Sequence, residues 1–111
     1  MQPNLTQAAM RESEARLRLG ELEPARAAAR HAREIGATEA WMETQLGRID
    51  LAAGLGPAAG RHLDRAVAIE PTNVSVLEDL ARAREMAGDT TGARAARARV
   101  ANLTRAVTPA R

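Results

Sequence analysis

The side chains best suited to acid–base chemistry or metal binding at neutral pH are the two histidines, His31 and His62. A catalytic or metal-binding histidine needs carboxylate, cysteine or further histidine partners at helical or loop spacing. Cysteine is absent from the chain. The neighbours of the two histidines along the sequence are arginines, namely Arg30, Arg33, Arg61 and Arg65. Since cationic neighbours disfavour a bound metal ion, we expect two surface histidines and no metal site.

A glycine cluster is the only other candidate for cofactor chemistry. Gly54, Gly56 and Gly60 give the spacing G-x-G-x-x-x-G, with Pro57 inside it. A dinucleotide-binding loop needs G-x-G-x-x-G directly after a strand, so this segment is better explained as a turn. No serine or threonine combines with a histidine and a carboxylate in a known nucleophile motif. We therefore expect no catalytic residue, no cofactor and no enzyme activity.

The composition favours one domain of packed helices. The chain has 111 residues, of which 45% are hydrophobic and 27% charged, as in a globular protein. Alanine dominates the hydrophobic set, and Trp41 is the single aromatic residue. Alanine has the highest intrinsic helix propensity, whereas strands favour β-branched and aromatic residues. We expect an all-α domain that spans residues 1–111.

Charge is distributed unevenly along the chain. All basic residues are arginines, and the net charge is +2. Residues 82–111 contain seven arginines but only Glu85 and Asp89 as acids. A basic final helix could contact an anion such as nucleic acid or lipid, although a solvated helix face explains the same pattern. Because no aromatic residue accompanies these arginines for base stacking, we do not expect a nucleic-acid partner.

Residues 1–19 lack the apolar core of a signal peptide, and no run of 18 uncharged apolar residues occurs. We therefore expect a cytoplasmic protein that does not bind membranes. The abundance of alanine and the exclusive use of arginine are bacterial in character. The chain could also be part of a larger enzyme or of a secretion or assembly protein.

A repeat of 34 residues organises the sequence. Gly20, Gly54 and Gly88 are spaced by this period, and three further columns follow in the same register. These columns are Ala25, Ala59 and Ala93; then Ala32, Ala66 and Val100; then Ile35, Ile69 and Leu103. Such periodicity is typical of stacked supersecondary units that share a continuous core.

Capping signals divide the repeats into six helices. Asn4, Thr38 and Asn73 are suited to begin the first, third and fifth helices, which end near the three repeating glycines. Pro24 and Pro57 fit the first turns of the second and fourth helices. The sixth helix is predicted to begin near Thr90 or Thr91 and to run to about Val107, with Thr108–Pro109 as its stop. Short turns between successive helices predict three antiparallel hairpins, at about residues 6–39, 40–73 and 74–107.

The pattern resembles the tetratricopeptide repeat family, which combines a Leu-Gly pair, a turn glycine and conserved small residues in each repeat. The middle repeat carries the resemblance most fully. Its matching residues are Leu46, Gly47, Gly54, Ala59, Leu63, Ala66 and Pro71. The resemblance implies a right-handed α-solenoid of three helix-turn-helix hairpins. It also implies a non-catalytic protein-interaction module whose partner is a peptide, a helix, another protein or a second copy of the chain.

Proteins of this family bind partners on the concave surface formed by the first helix of each hairpin. The residues that the resemblance places there are Met10, Glu14, Arg18, Trp41, Gln45, Arg48, Glu78, Asp79 and Arg82. A wider set adds Leu17, Thr44, Ala52, Ser75 and Met86. The alternative is that Glu14–Arg18 and Glu78–Arg82 are i,i+4 pairs that only solvate the helices.

One subclass of the family clamps terminal carboxylates with cationic groove residues. The matching positions are Met10, Glu14, Gln45, Ser75 and Asp79, and none of them is cationic. We therefore do not expect this chain to bind partners in that way.

Two positions remain to be placed by the structure. Trp41 lies two residues before the family's tryptophan position, so it could fill the core or face the groove. Arg97 occupies the column of Ala29 and Leu63, which fills the space between neighbouring hairpins. Because a buried unpaired charge is costly, Arg97 predicts that the array ends after three repeats.

Overall fold

A computed structural model describes residues 4–107, and these residues form six α-helices without any strand. The helices are α1 (Leu5–Arg18), α2 (Leu22–Glu34), α3 (Glu39–Ala52), α4 (Gly56–Ile69), α5 (Val74–Met86) and α6 (Thr90–Val107). The prediction of an all-α fold is confirmed. The predicted stop at Thr108–Pro109 lies outside the described residues. We call α1, α3 and α5 the first helices, and α2, α4 and α6 the second helices.

Side-chain caps fix the start of every first helix. The side chains of Asn4, Thr38 and Asn73 accept hydrogen bonds from backbone N–H groups three residues later, at 3.0, 3.1 and 3.3 Å. Each bond satisfies one of the N–H groups that a helix start leaves unpaired. The sequence-based assignment of these three caps is confirmed.

The repeating glycines allow the sharp turn inside each hairpin. Gly20, Gly54 and Gly88 have φ angles of +78°, +76° and +83°. A side chain is strained in this left-handed region, whereas glycine is not. The 34-residue period of the sequence therefore corresponds to one backbone conformation that recurs three times.

Small residues let the two helices of each hairpin approach closely. On the first helices the small column is Ser13, Gly47 and Ala81; on the second helices it is Ala25, Ala59 and Ala93. All six residues are buried. A Cβ atom added to Gly47 would lie 2.6 Å from Cγ of Leu63, which itself has no exposed surface. Larger residues in these columns would have to push the paired helices apart.

The hydrophobic core lies in the seams between hairpins. The first seam contains Ala25, Ala29, Leu46 and Ile49, with Leu17, Leu22, Trp41 and Met42 packed against them. The second seam contains Leu51, Ala59, Leu63, Ala66, Val67, Val76, Leu77, Leu80 and Ala83. Helix α3 contributes to both clusters. Each hairpin therefore buries part of its apolar surface against its neighbours, as in a repeat protein.

Arg97 stands at the end of the stack. Its column mates Ala29 and Leu63 are fully buried, whereas half of the Arg97 side chain is exposed and its Nη1 lies 2.9 Å from Oε2 of Glu85. The expectation that the array ends after three repeats stays a prediction.

The contacts between layers indicate which side is concave. Helix α3 contacts both α1 and α5, so the first helices touch one another. Within residues 4–107, the backbones of α2 and α4, and those of α4 and α6, lie farther apart than the backbones of the first helices. The second helices are therefore splayed on the outer side, and the first helices line the inner side. The right-handed sense of the stack stays a prediction from the resemblance.

Gly47→Ala tests the close approach within the middle hairpin. We expect it to lower the free energy of unfolding by about 1–3 kcal/mol, because the new methyl group overlaps Leu63. Gly60→Ala is the matched control, since it also lies inside a helix but its added Cβ would have no atom within 4 Å. The control should raise stability by about 0.5–1 kcal/mol, through helix propensity alone. Urea denaturation measures both changes, and equal effects of the two substitutions would contradict this packing.

Candidate functional site

All three first helices line one pocket on the inner side of the stack. It has a volume of about 360 Å³ and is lined by Leu17, Arg48, Leu51, Ala52, Asp79 and Arg82. Leu17 comes from α1, the next three residues from α3, and the last two from α5. We call it the inner pocket. Since α1, α3 and α5 belong to different hairpins, the pocket exists only when the hairpins are stacked.

Asp79 organises the charged side of the inner pocket. Its Oδ2 accepts a hydrogen bond of 2.6 Å from Nε of Arg48, and its Oδ1 lies 3.7 Å from Nη1 of Arg82. Arg48 also donates from Nη2 to Oγ of Ser75, at 2.9 Å. Two contacts to α5 therefore hold Arg48 in place, and its carboxylate partner is largely buried.

Arg82 is the most accessible charge of the inner pocket. About two thirds of its side chain is exposed, and its only ion pair with a residue between 4 and 107 is the long contact with Asp79. A guanidinium group has five N–H donors in a planar fork that fits a carboxylate. Within the described part of the chain, most of these donors of Arg82 have no partner, and Arg82 lines the same pocket as Leu51 and Ala52. The pocket can thus bind a carboxylate and an aliphatic group side by side.

The inner pocket brings together three of the nine predicted groove residues, namely Arg48, Asp79 and Arg82. Glu14 and Arg18 are exposed on α1, and Met10 is half-buried on the same helix. Glu78 is exposed and lines a separate pocket at the C-terminal end of the stack. Neither Glu14–Arg18 nor Glu78–Arg82 forms an ion pair in the part of the chain that the structure describes.

Gln45, a predicted groove residue, lies in the first seam. Only 3% of it is exposed. Its Nε2 donates to Oγ of Ser13 at 3.0 Å, and Ser13 in turn donates to the backbone oxygen of Ala25 at 2.8 Å. These two hydrogen bonds satisfy the buried polar side chains of Gln45 and Ser13, and they connect α3 to the first hairpin. Gln45 therefore positions the helices that carry the inner pocket and does not face it.

Two residues were missed by the sequence reasoning. Leu51 forms the floor of the inner pocket, and Ser13 anchors Gln45. Both lie in repeat columns that could have revealed them: Leu51 is 34 residues after Leu17, and Ser13 is 34 residues before Gly47.

A second polar cluster lies where α2, α3 and α4 meet. Nη1 of Arg26 is 2.5 Å from Oδ1 of Asp50, which is 2% exposed. His62 lies between two buried carboxylates, with Nδ1 at 2.8 Å from Oε2 of Glu43 and Nε2 at 3.7 Å from Oδ2 of Asp50. The expectation of a surface position is wrong for His62, because its helix faces α3, but holds for the exposed His31.

Arg26 keeps its charge in this cluster. Partial burial lowers its pKa, but the hydrogen bond and the attraction to Asp50 outweigh that effect, so the pKa is raised overall. The polar groups of the cluster contact one another, and Arg26 of the first hairpin contacts Asp50 of the second, so the cluster connects these two hairpins. Between residues 4 and 107, no group of three or more histidine, cysteine or acidic side chains is arranged to hold a metal ion.

The arginines of α6 are mostly engaged within the protein. Arg97 pairs with Glu85, Arg99 donates to the backbone oxygen of Pro71 at 2.9 Å, and Arg105 donates to Oδ1 of Asn102 at 3.4 Å. Arg94 is exposed and forms no ion pair with a described residue. Of these contacts, only the one with Glu85 pairs an arginine of the helix with an opposite charge.

No protein-family model matches the chain, and no curated protein is similar enough to count as a relative. The resemblance to tetratricopeptide repeats therefore depends on the repeat columns themselves. Among the described helices, none is long and apolar enough to cross a membrane.

Trp41 packs against the first-seam core while part of its surface stays exposed. Trp41→Ala should lower the free energy of unfolding by about 3 kcal/mol, because it removes a large side chain from Leu46 and Ile49. Leu55→Ala, at an exposed position, should change it by less than about 0.5 kcal/mol. Chemical denaturation followed by circular dichroism measures both. Unchanged stability of the tryptophan variant would place Trp41 in the groove instead of the core.

Proposed function

We propose that the protein is a non-catalytic interaction module whose inner pocket binds a segment of another protein. The observation that carries this proposal is the composition of the pocket: an apolar floor from Leu17, Leu51 and Ala52 next to an accessible guanidinium group of Arg82. Arginine and apolar surface on a concave face are typical of protein-binding sites. The resemblance to tetratricopeptide repeats supports the same proposal, because proteins of that family bind peptides on their concave surface.

The chemistry of the inner pocket suggests the kind of segment that it binds. Asp79 is already neutralised by Arg48, so Arg82 can pair with a carboxylate from a partner. Leu51 is nearly buried and offers its remaining surface to an aliphatic side chain. The partner segment would therefore place an aspartate or glutamate beside a leucine, isoleucine or valine, in a peptide or on a helix.

The alternative function is contact with nucleic acid or lipid through α6. Among the described residues Glu85 pairs with Arg97, whereas Arg99 and Arg105 donate to neutral oxygens, so α6 stays basic and this alternative is separated from the first by experiment. Binding of that kind would weaken steeply with added salt, because it releases counterions from the phosphates. Binding in the inner pocket would depend less on salt, since part of its free energy comes from apolar burial.

A peptide-display selection on the immobilised protein tests the proposed function. Enriched sequences should combine an acidic residue with an aliphatic one. Arg82→Glu should then weaken binding of the selected peptides by at least about tenfold, which corresponds to about 1.4 kcal/mol. The cause would be repulsion between the new carboxylate and the acidic residue of the peptide. Isothermal titration calorimetry measures the affinities.

Arg61→Glu is the control, because Arg61 is equally charged but exposed on α4, a second helix of the outer side. It should leave peptide affinity within about twofold, since the screening length in physiological salt is only about 8 Å. Enrichment of basic peptides, or equal loss of affinity in both variants, would contradict binding in the inner pocket.

A further inference from the structure

The N-terminal end of the stack exposes an apolar surface that no other helix covers within residues 4–107. Two adjoining depressions of about 370 and 330 Å³ lie there. Together they are lined by Leu5, Ala8, Ala9, Glu12, Pro24, Ala27, Ala28, His31 and Ile35. We call this surface the end face. Leu5 is 68% exposed and Ile35 is 37% exposed, so large side chains as well as alanines meet the solvent.

The repeat register shows what this surface does elsewhere in the molecule. Ala8 and Ala9 of α1 correspond to Val76 and Leu77 of α5, which are 1% and 0% exposed in the second seam. The same positions that are sealed by a neighbouring hairpin in the third repeat are therefore open in the first. Thr6 connects α1 to the end of α2 at this surface, because its Oγ1 donates to the backbone oxygen of Ile35 at 2.6 Å.

A second copy stacked head to tail would repeat the seams, but the charges oppose it. In the second seam Arg48 bonds to Asp79. The equivalent pair at a head-to-tail junction would be Arg82 of one copy and Arg11 of the next. The attractive Arg48–Asp79 pair inside one chain thus corresponds to a repulsive Arg82–Arg11 pair between two chains.

The first seam leads to the same result. Arg26 pairs there with Asp50, and the equivalent pair at the junction would be Arg94 and Arg16. Arg97 would face Glu12 of the next copy and could pair with it. However, Arg97 would then occupy the position that Leu63 fills in the second seam, and it already pairs with Glu85. The stack is therefore not extended by copies of itself in the register of its own seams.

We infer that the end face binds the end face of a second copy around a two-fold axis, which forms a closed dimer. In such an interface one patch meets itself, so Glu12 of each copy can face His31 of the other. The two residues line both depressions and carry complementary groups. His31 is exposed, and its one ion-pair contact among the described residues is a 3.9 Å contact with the exposed Glu34, so it is accessible to a carboxylate from another chain. This interface is independent of the inner pocket.

Sedimentation equilibrium from about 10 μM to about 1 mM protein tests the dimer across weak affinities. The wild-type protein should show a mass that rises from monomer to dimer and stops there. Leu5→Glu should raise the dissociation constant by at least about tenfold, because it places a charge in an apolar interface. Leu19→Glu is the matched control: Leu19 is 70% exposed but lies in the turn at the other end of α1, so it should leave the dimer intact.

Charge reversal tests the two-fold geometry. Glu12→Arg alone and His31→Glu alone should each weaken the dimer, because the first removes the carboxylate that faces His31 and the second places two carboxylates opposite each other across the axis. The double variant restores opposite charges and should recover most of the affinity. A wild-type protein that stays monomeric at every concentration would overturn the inference. So would equal effects of Leu5→Glu and Leu19→Glu, masses beyond the dimer, or a double variant no tighter than the single ones.

Discussion

The structure depends on the close approach of helix pairs, which small residues permit. Ala25, Ala59 and Ala93 have almost no exposed surface, and Gly47 leaves no room for a methyl group beside Leu63. Because the helices of each hairpin are so close, their remaining side chains project into the seams and onto the inner side. Packing density of this kind makes each hairpin a rigid unit, which can then dock on the next hairpin as a whole.

Polar tethers across the seams then set the relation between hairpins. Gln45 reaches Ser13 in the first seam, and Arg48 reaches Asp79 in the second. Buried polar groups are costly without partners, so alternative registers that break these bonds are penalised. The second tether also forms one side of the inner pocket. The interaction that orders the stack thus leaves Arg82 accessible for binding.

Much of the fold could be predicted because its signals are local. The caps at Asn4, Thr38 and Asn73 and the turn glycines fix helix ends through contacts within a few residues. The directions of Gln45 and His62 could not be predicted in this way, since they depend on Ser13 and Glu43, which the fold brings close from other parts of the sequence. For the inner pocket, the family resemblance indicated Arg48, Asp79 and Arg82. Leu51 was missed as a pocket residue, because it belongs to the core of the second seam and also lines the inner pocket.

The most direct test of the account is to map where a bound segment contacts the protein. Amide chemical shifts of the isotope-labelled protein would be followed while a selected acidic–aliphatic peptide is added. The account predicts that the largest shifts fall on the first helices, around Leu17, Arg48, Leu51, Asp79 and Arg82. Shifts confined to the second helices, or to the N-terminal end of the stack, would contradict a binding site built from three stacked hairpins.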